Sequence, residues 1–284
     1  MDIANYGDIT KYGDRIVVGV SGGKDSTATA LHLLEQGYSK NDFDRVFIDV
    51  GWEHPKTYEY LEALQETIGE ITVISADIPV VPEHADIIET IEQELGHKSA
   101  MVRYTLKHLG FPRRIAKWCT SKLKIKPLAE YYKNLDFDPV NVVGIRKEES
   151  KWRAKLTTLE WVPMLDCFTY RPILDWSLQD VIQIHKRFNL APNPLYLDAA
   201  SRVGCYPCIN ANKKAIKMVD KKRASIIATL EEYLQKKTGK KNTFFHEGTI
   251  QERIEWSKTA RGGKQYTLFD TEEKSCVKWG LCHL

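Results

Sequence analysis

The sequence predicts an α/β fold, a doubly wound and mostly parallel sheet followed by a helical carboxyl-terminal appendage. Three observations carry this expectation. Short β-branched runs alternate with segments of helical apolar spacing through the first half of the chain. The first run passes through a polar, glycine-rich turn straight into a helical segment. Beyond residue 210 the strand-like runs give way to lysine-rich helical periodicity, so residues 1–210 read as a nucleotide-binding domain and 211–284 as the appendage.

Residues 1–15 form a leading helix or arm ending in the turn Tyr12-Gly13-Asp14. Ile16 to Val20 has the composition of a buried parallel strand, and Thr27 to Leu34 is helical until Gly37 stops it. Between them lies Ser21-Gly22-Gly23-Lys24-Asp25-Ser26. Its glycines let backbone N–H groups approach an anion, the helix start favours negative charge, and Lys24 adds a cation. Phosphate is the natural occupant; an ordinary strand-to-helix turn is the bland alternative. The spacing is not that of a Walker A loop, because Asp25 stands where a Ser or Thr is required, which disfavours a kinase or motor ATPase.

Arg45 to Val50 reads as a second parallel strand, and its Asp49 faces the crevice where ligands collect beyond strand ends. Asp49 can help hold a metal or the nucleotide, or it can cap the helix Lys56 to Ile68. His54 reads as a partly exposed structural histidine or a catalytic one. Glu70 to Ser75 is a third strand, Ala85 to Leu95 a helix, and Lys98 to Arg114 a basic helix or loop able to cover a nucleotide. In Trp118 to Leu128 a thiol, Cys119, sits among lysines, a setting that favours thiolate for nucleophilic attack or iron binding. A fourth strand, Asp138 to Val143, leads into Gly144-Ile145-Arg146, and Arg146 and Arg153 offer forked donors to phosphate or sulfate. Leu178 to Phe188 is a helix, and the prolines of Pro192-Asn193-Pro194 end it. The Cys205-x-x-Cys208 knuckle can hold a metal or form a redox pair. Ala215 to Lys236 reads as one helix and Thr249 to Trp256 as another, with Cys167 a structural thiol.

Composition narrows the class. Hydrophobic residues make up 43% of 284, enough for a substantial core, and six cysteines are too few and too unevenly placed for a secreted disulfide framework. Without a signal peptide or a membrane-length apolar run, the expectation is a cytoplasmic protein with no membrane association. The net charge of +3 conceals an asymmetry: residues 42–94 hold 14 acidic and 2 basic side chains, residues 213–264 hold 14 basic and 6 acidic. The lysine-rich segment can meet nucleic acid or form a solvated helical surface. A sulfur-donor protein and a homodimer remain open as partners.

The strand followed by Ser21 to Ser26 resembles the pyrophosphate-binding loop of the N-type ATP pyrophosphatases. With Trp118-Cys119-Thr120, Gly144-Ile145-Arg146 through Arg153, Arg171 to Trp176, Asn193-Pro194-Leu195-Tyr196 and Gly204-Cys205-x-x-Cys208, the chain resembles the phosphoadenosine phosphosulfate (PAPS) reductase-like family. The resemblance implies an adenine nucleotide alpha hydrolase-like, Rossmann-like fold that binds ATP or another adenine nucleotide. It also implies Mg2+, cleavage between the α and β phosphates, and ATP-dependent sulfur transfer or modification of a nucleotide or nucleic acid. Ser21, Gly22, Gly23, Lys24, Asp25, Ser26, Asp49, Gly144, Arg146 and Arg153 are the implied nucleotide contacts, with Lys24, Asp25 and Arg146 in catalysis. In the cluster-containing branch, Cys119, Cys205 and Cys208 match ligands of a four-iron four-sulfur (4Fe-4S) cluster. Trp118 stands where that branch has a further cysteine, so Cys276 is the expected fourth ligand and Cys282 the second choice. A reductase forming sulfite with Cys282 as nucleophile is the close alternative, although the order Gly280-Leu281-Cys282-His283 departs from the reductases' terminal segment. A nucleotide-sensing binding protein without catalysis is the other.

Overall fold

Four β-branched segments pair in parallel as β1 (Arg15–Gly19), β2 (Phe43–Asp49), β3 (Thr72–Ser75) and β4 (Pro139–Val143). The computed structural model of the chain describes residues 9–198, 200 and 202–259. Two further strands, β5 (Leu159–Val162) and β6 (Cys167–Tyr170), complete a six-stranded sheet in the order β3-β2-β1-β4-β6-β5. β6 runs parallel to β4, and β5 closes the edge antiparallel to β6. The chain therefore winds outward from β1 in one direction and resumes at β4 in the other, which puts the topological switch point between β1 and β4.

Burial on both faces explains the near-continuous apolar strands. Ile16, Val18, Val140 and Val142 pack under α1 (Lys24–Glu35), α2 (Pro55–Ile68) and α7 (Leu178–Arg187). Val17 and Val46 face the opposite side, with Tyr132 of α6 (Lys126–Lys133). Across β4 and β6, buried Asn141 donates to Thr169 at 2.9 Å and accepts from the Tyr132 hydroxyl at 2.9 Å, a polar chain that fixes register where apolar packing would tolerate slippage.

A second core lies beyond the strand ends. Val50 and Trp52 pack with α3 (Ala85–Leu95), α4 (Ala100–Lys107) and Leu123, and with the carboxyl-terminal α8 (Lys213–Lys217), α9 (Lys221–Thr238) and α10 (Ile250–Lys258). Among the described residues no helix is long and apolar enough to cross a membrane.

Three expectations need correction. The β5–β6 hairpin escapes the sequence reading, because each strand has only four residues and the turn between them carries Pro163 and left-handed Asp166. The single helix expected over Ala215 to Lys236 is two: Asp220 accepts from Arg223 N at 2.7 Å and caps α9, while the Tyr206 hydroxyl holds Met218 O at 2.8 Å. The stretch Lys98 to Arg114 is not a free cover, since Met101, Val102 and Leu106 are buried and Met101 N donates to Val50 O at 3.0 Å.

Candidate functional site

The phosphate-type loop occupies the carboxyl end of β1 at the switch point. Gly22 has φ +68°, a left-handed conformation open to glycine, and a Cβ there would lie 2.9 Å from Thr57 Cγ2. Gly23 precedes α1 and has no side chain of its own to cap the helix, so among the first helical N–H groups only Lys24 N has a side-chain acceptor, the Tyr196 hydroxyl. Ser26 Oγ donates to Gly23 O at 3.0 Å and accepts from Ser21 N at 3.1 Å, so the loop is closed on itself. It is also held from behind. Asn193 donates to Gly22 O at 3.1 Å, and Lys24 N donates to the Tyr196 hydroxyl at 3.2 Å. Pro194 starts the 3-10 turn that presents Tyr196, and Asn193 caps it by accepting from Leu195 N at 3.1 Å. The sequence offers Asn193 to Tyr196 only as a family motif; the structure gives it this work.

Asp25 joins the two strand ends. Its carboxylate accepts from Lys24 Nζ at 2.9 Å and from Arg146 Nε at 2.6 Å. Arg146 is 4% exposed, and its Nη1 also reaches Glu148 at 2.6 Å. Burial would raise the Asp25 carboxyl, but Lys24 and Arg146 together outweigh it and hold the group below the ordinary carboxylate range. Glu149 accepts from Arg146 N at 3.0 Å and pairs with Arg153, which brings both predicted arginines to one wall. Glu148 and Glu149 were missed as supports, and only their place beside two arginines in sequence could have drawn attention to them.

Gly144 permits the approach, because a Cβ there would sit 2.5 Å from Asp25 O and 2.7 Å from Ser26 N. Gly144→Ala should therefore push the two loops apart, costing about 1–3 kcal/mol of stability and weakening nucleotide binding. Thermal melts with and without ATP check this; an unchanged ATP-induced shift in melting temperature would contradict it.

The thiols gather beyond the loop. Cys119 lies in α5 (Trp118–Thr120), which runs through a π-helical turn, Ser121–Ile125, into α6. Cys205 forms an isolated bridge with Glu53, and Trp52 Nε1 donates to Pro207 O at 3.2 Å, so the Cys205-x-x-Cys208 knuckle is tied to the end of β2. Lys124 Nζ stands 4.0 Å from Glu53, which is 2% exposed. Burial pushes the Cys205 thiol up to about 12, against the pull of Lys124, with Glu53, Cys208 and Cys119 adding to the rise. Burial likewise raises Cys119, while Lys124 pulls it down.

Cys119, Cys205 and Cys208 thus share one neighbourhood, and three thiols suit a thiophilic metal in kind. Among the described residues, no group of three or more His, Cys, Asp or Glu is spaced to hold a metal ion. Cys276 and Cys282 lie outside the described residues.

Asp49 is placed beside the knuckle. It accepts from Gly51 N at 2.7 Å and from the Tyr58 hydroxyl at 2.8 Å, and its charge acts on Glu53. His54 caps α2 by accepting from Lys56 N at 3.1 Å and meets the Tyr206 ring edge-on at 4.4 Å, which is the structural role. A cavity of about 280 Å³, lined by His54, Leu195, Arg202, Cys205, Tyr206 and Cys208, opens between the knuckle and the segment that pins the phosphate loop. Glu53, Lys124 and Tyr196 were not singled out as site residues in the sequence. Glu53 lies in a run of acidic side chains and Lys124 in a run of lysines, and neither run marks which member is placed at the thiols.

Comparison with known proteins bears on the family and the fold. Residues 15–211 match the phosphoadenosine phosphosulfate reductase domain. The chain is 30% identical to an uncharacterized 37.8 kDa protein of Escherichia phage 186, over 94% of this chain and 96% of that one. It is 27% identical to the adenosine 5'-phosphosulfate reductase of Streptomyces coelicolor, over 69% and 72% of the two chains. The crystal structure of phosphoadenylyl-sulfate reductase from Candida auris, a phosphate complex, shares the fold with a TM-score of 0.50 at 14% identity, over 72% of this chain and 86% of that one. The α/β sheet, its switch-point loop and the extent of the domain match make this chain a member of the phosphoadenosine phosphosulfate reductase family.

Proposed function

We propose that the chain is a cytoplasmic enzyme that binds ATP at the Ser21 to Ser26 loop, cleaves it between the α and β phosphates, and uses the activated acceptor in sulfur transfer or in modification of a nucleotide or nucleic acid. The observation that carries this reading is the intact loop at the β1/β4 switch point, with Lys24 and Arg146 converging on Asp25. The N–H groups at the head of α1 and the Lys24 ammonium would hold the β and γ phosphates. An acceptor nucleophile forms a bond to the α phosphorus as the bond to the bridging oxygen breaks, and pyrophosphate leaves with that electron pair. Arg146 and Arg153 orient an anionic group, and Asp25 keeps Lys24 and Arg146 in register. Mg2+ would supply further neutralisation of the phosphates.

Cys119, Cys205 and Cys208, with Cys276 or Cys282 as the fourth ligand, would hold a 4Fe-4S cluster, which would supply a site to bind or relay sulfur. Three thiols in one neighbourhood support this in kind.

Two measurements test the two halves separately. Exchange of labelled pyrophosphate into ATP with candidate acceptors tests the cleavage, and its loss in Lys24→Ala assigns it to the loop. Anaerobically purified protein should be brown with about four irons per chain, and Cys205→Ser should lose most of them. Colourless protein holding stoichiometric zinc after anaerobic reconstitution would rule the cluster out and leave the ATP site standing.

A further inference from the structure

The loop after α4 and the segment between α9 and α10 form facing walls of an open groove of about 750 Å³, lined by Arg113, Arg114, Ile115, Lys241, His246 and Glu247. A narrower hollow of about 30 Å³ shares Arg113, Arg114 and His246 with the groove and adds Asn210 and Arg253. Asn210 in turn also lines the cavity that holds Cys205 and Cys208. Asn210 therefore stands at the junction between the thiol cavity and a cationic groove.

The walls are built before any ligand arrives. Buried Glu231 accepts from Phe244 N at 2.8 Å and from Ile250 N at 3.1 Å, which fixes the carboxyl-terminal wall. Arg113 Nη1 donates to Thr243 O at 2.9 Å and Asn242 Nδ2 to Leu109 O at 3.0 Å, which tie the walls together. Arg114 Nε donates to Asn210 Oδ1 at 3.1 Å and leaves the rest of its exposed guanidinium on the rim. Across the groove and hollow, four permanent cations, Arg113, Arg114, Lys241 and Arg253, stand with two carboxylates, Glu247 and Glu252, the latter 3.8 Å from Lys241 Nζ. Ile115, fully exposed at the tip, adds an apolar surface on which a base can rest.

We infer that this groove seats a single strand of nucleic acid by its phosphodiester backbone. Charge complementarity selects a polyanion, and exposed Ile115 favours a single strand, whose unpaired bases can rest against it. The purpose of this surface rests on the proposed modification chemistry, but binding does not require it: the strand is held without ATP.

The test is fluorescence anisotropy of labelled single-stranded oligonucleotides, both DNA and RNA, against the full-length protein over a range of salt. With about four phosphate contacts, the logarithm of affinity should fall with the logarithm of salt at a slope of about −2.8. The double variant Arg114→Glu/Lys241→Glu should bind at least tenfold more weakly, and Arg114→Ala/Lys241→Ala should lower the slope by about 1.4 while keeping the wild-type melting temperature. Lys236→Glu/Lys237→Glu, a change on α9 at residues that do not line the groove, should bind as the wild type does. Equal weakening in that control, tighter binding of duplex, or unaltered binding by the groove variants would each overturn the proposal. Pyrophosphate exchange in the alanine double variant, measured with a small acceptor, reports separately on the ATP reading.

Discussion

Arg146→Ala should be the most damaging single substitution in the chain, with about 3–5 kcal/mol of stability lost and ATP cleavage abolished. Removing one partner of a buried pair costs far more than the pair contributes, because the remaining charge stays desolvated. Here the remaining charge is Asp25, with a side chain 13% exposed and only Lys24 left to face it. The variant also gives up the link between Glu148, Glu149 and the phosphate loop. The pH dependence has a definite sign. Asp25 is depressed in the folded protein, so its contribution is fully present above the unfolded carboxyl range, about 3.9, and fades as pH falls through the lower folded value. Without Arg146, burial has less to oppose it and the carboxyl moves up, so the variant should lose stability at a higher pH than the wild type as the solution is acidified. Thermal melts from neutral to acid pH check this; parallel curves for the two proteins would show that Arg146 does not set the Asp25 ionisation. Asp25→Asn in the Arg146→Ala background should restore part of the stability, a result that simple loss of packing would not give.

Lys24→Ala should lower the rate of ATP cleavage by about 100- to 1,000-fold, the loss expected when one donor to developing charge is removed. Its effect on stability should be small, because Arg146 still holds Asp25 and the closure of the loop rests on Ser21, Ser26 and Asn193. The split between the two variants is the informative result: one fails in folding and chemistry together, the other in chemistry. A Lys24→Ala protein that exchanges pyrophosphate at the wild-type rate would remove Lys24 from the reaction.

The parts of the site that were legible in sequence are those in which the backbone does the work. Gly22 and Gly23 between a β-branched strand and a helix can hardly serve another local geometry, and β1, β2 and β4 announce themselves by burial on both faces. Contacts between distant segments were not legible. Nothing in Tyr196 says that its hydroxyl accepts from Lys24 N, and nothing in Gly144 says that Asp25 passes against it, because both facts arise from strand order. The setting of Cys119 was half legible for a related reason: lysines close in sequence are visible there, whereas the burial that opposes them comes from the second core, against which Cys119 packs. Short β5 and β6 fell below the length at which alternation separates a strand from a loop.

The stretch from Asn193 to Cys208 grips the phosphate loop at one end and carries two of the thiols at the other. One continuous stretch of chain therefore joins the loop at the end of β1 to the knuckle at the end of β2, so the two are linked covalently and not by packing alone.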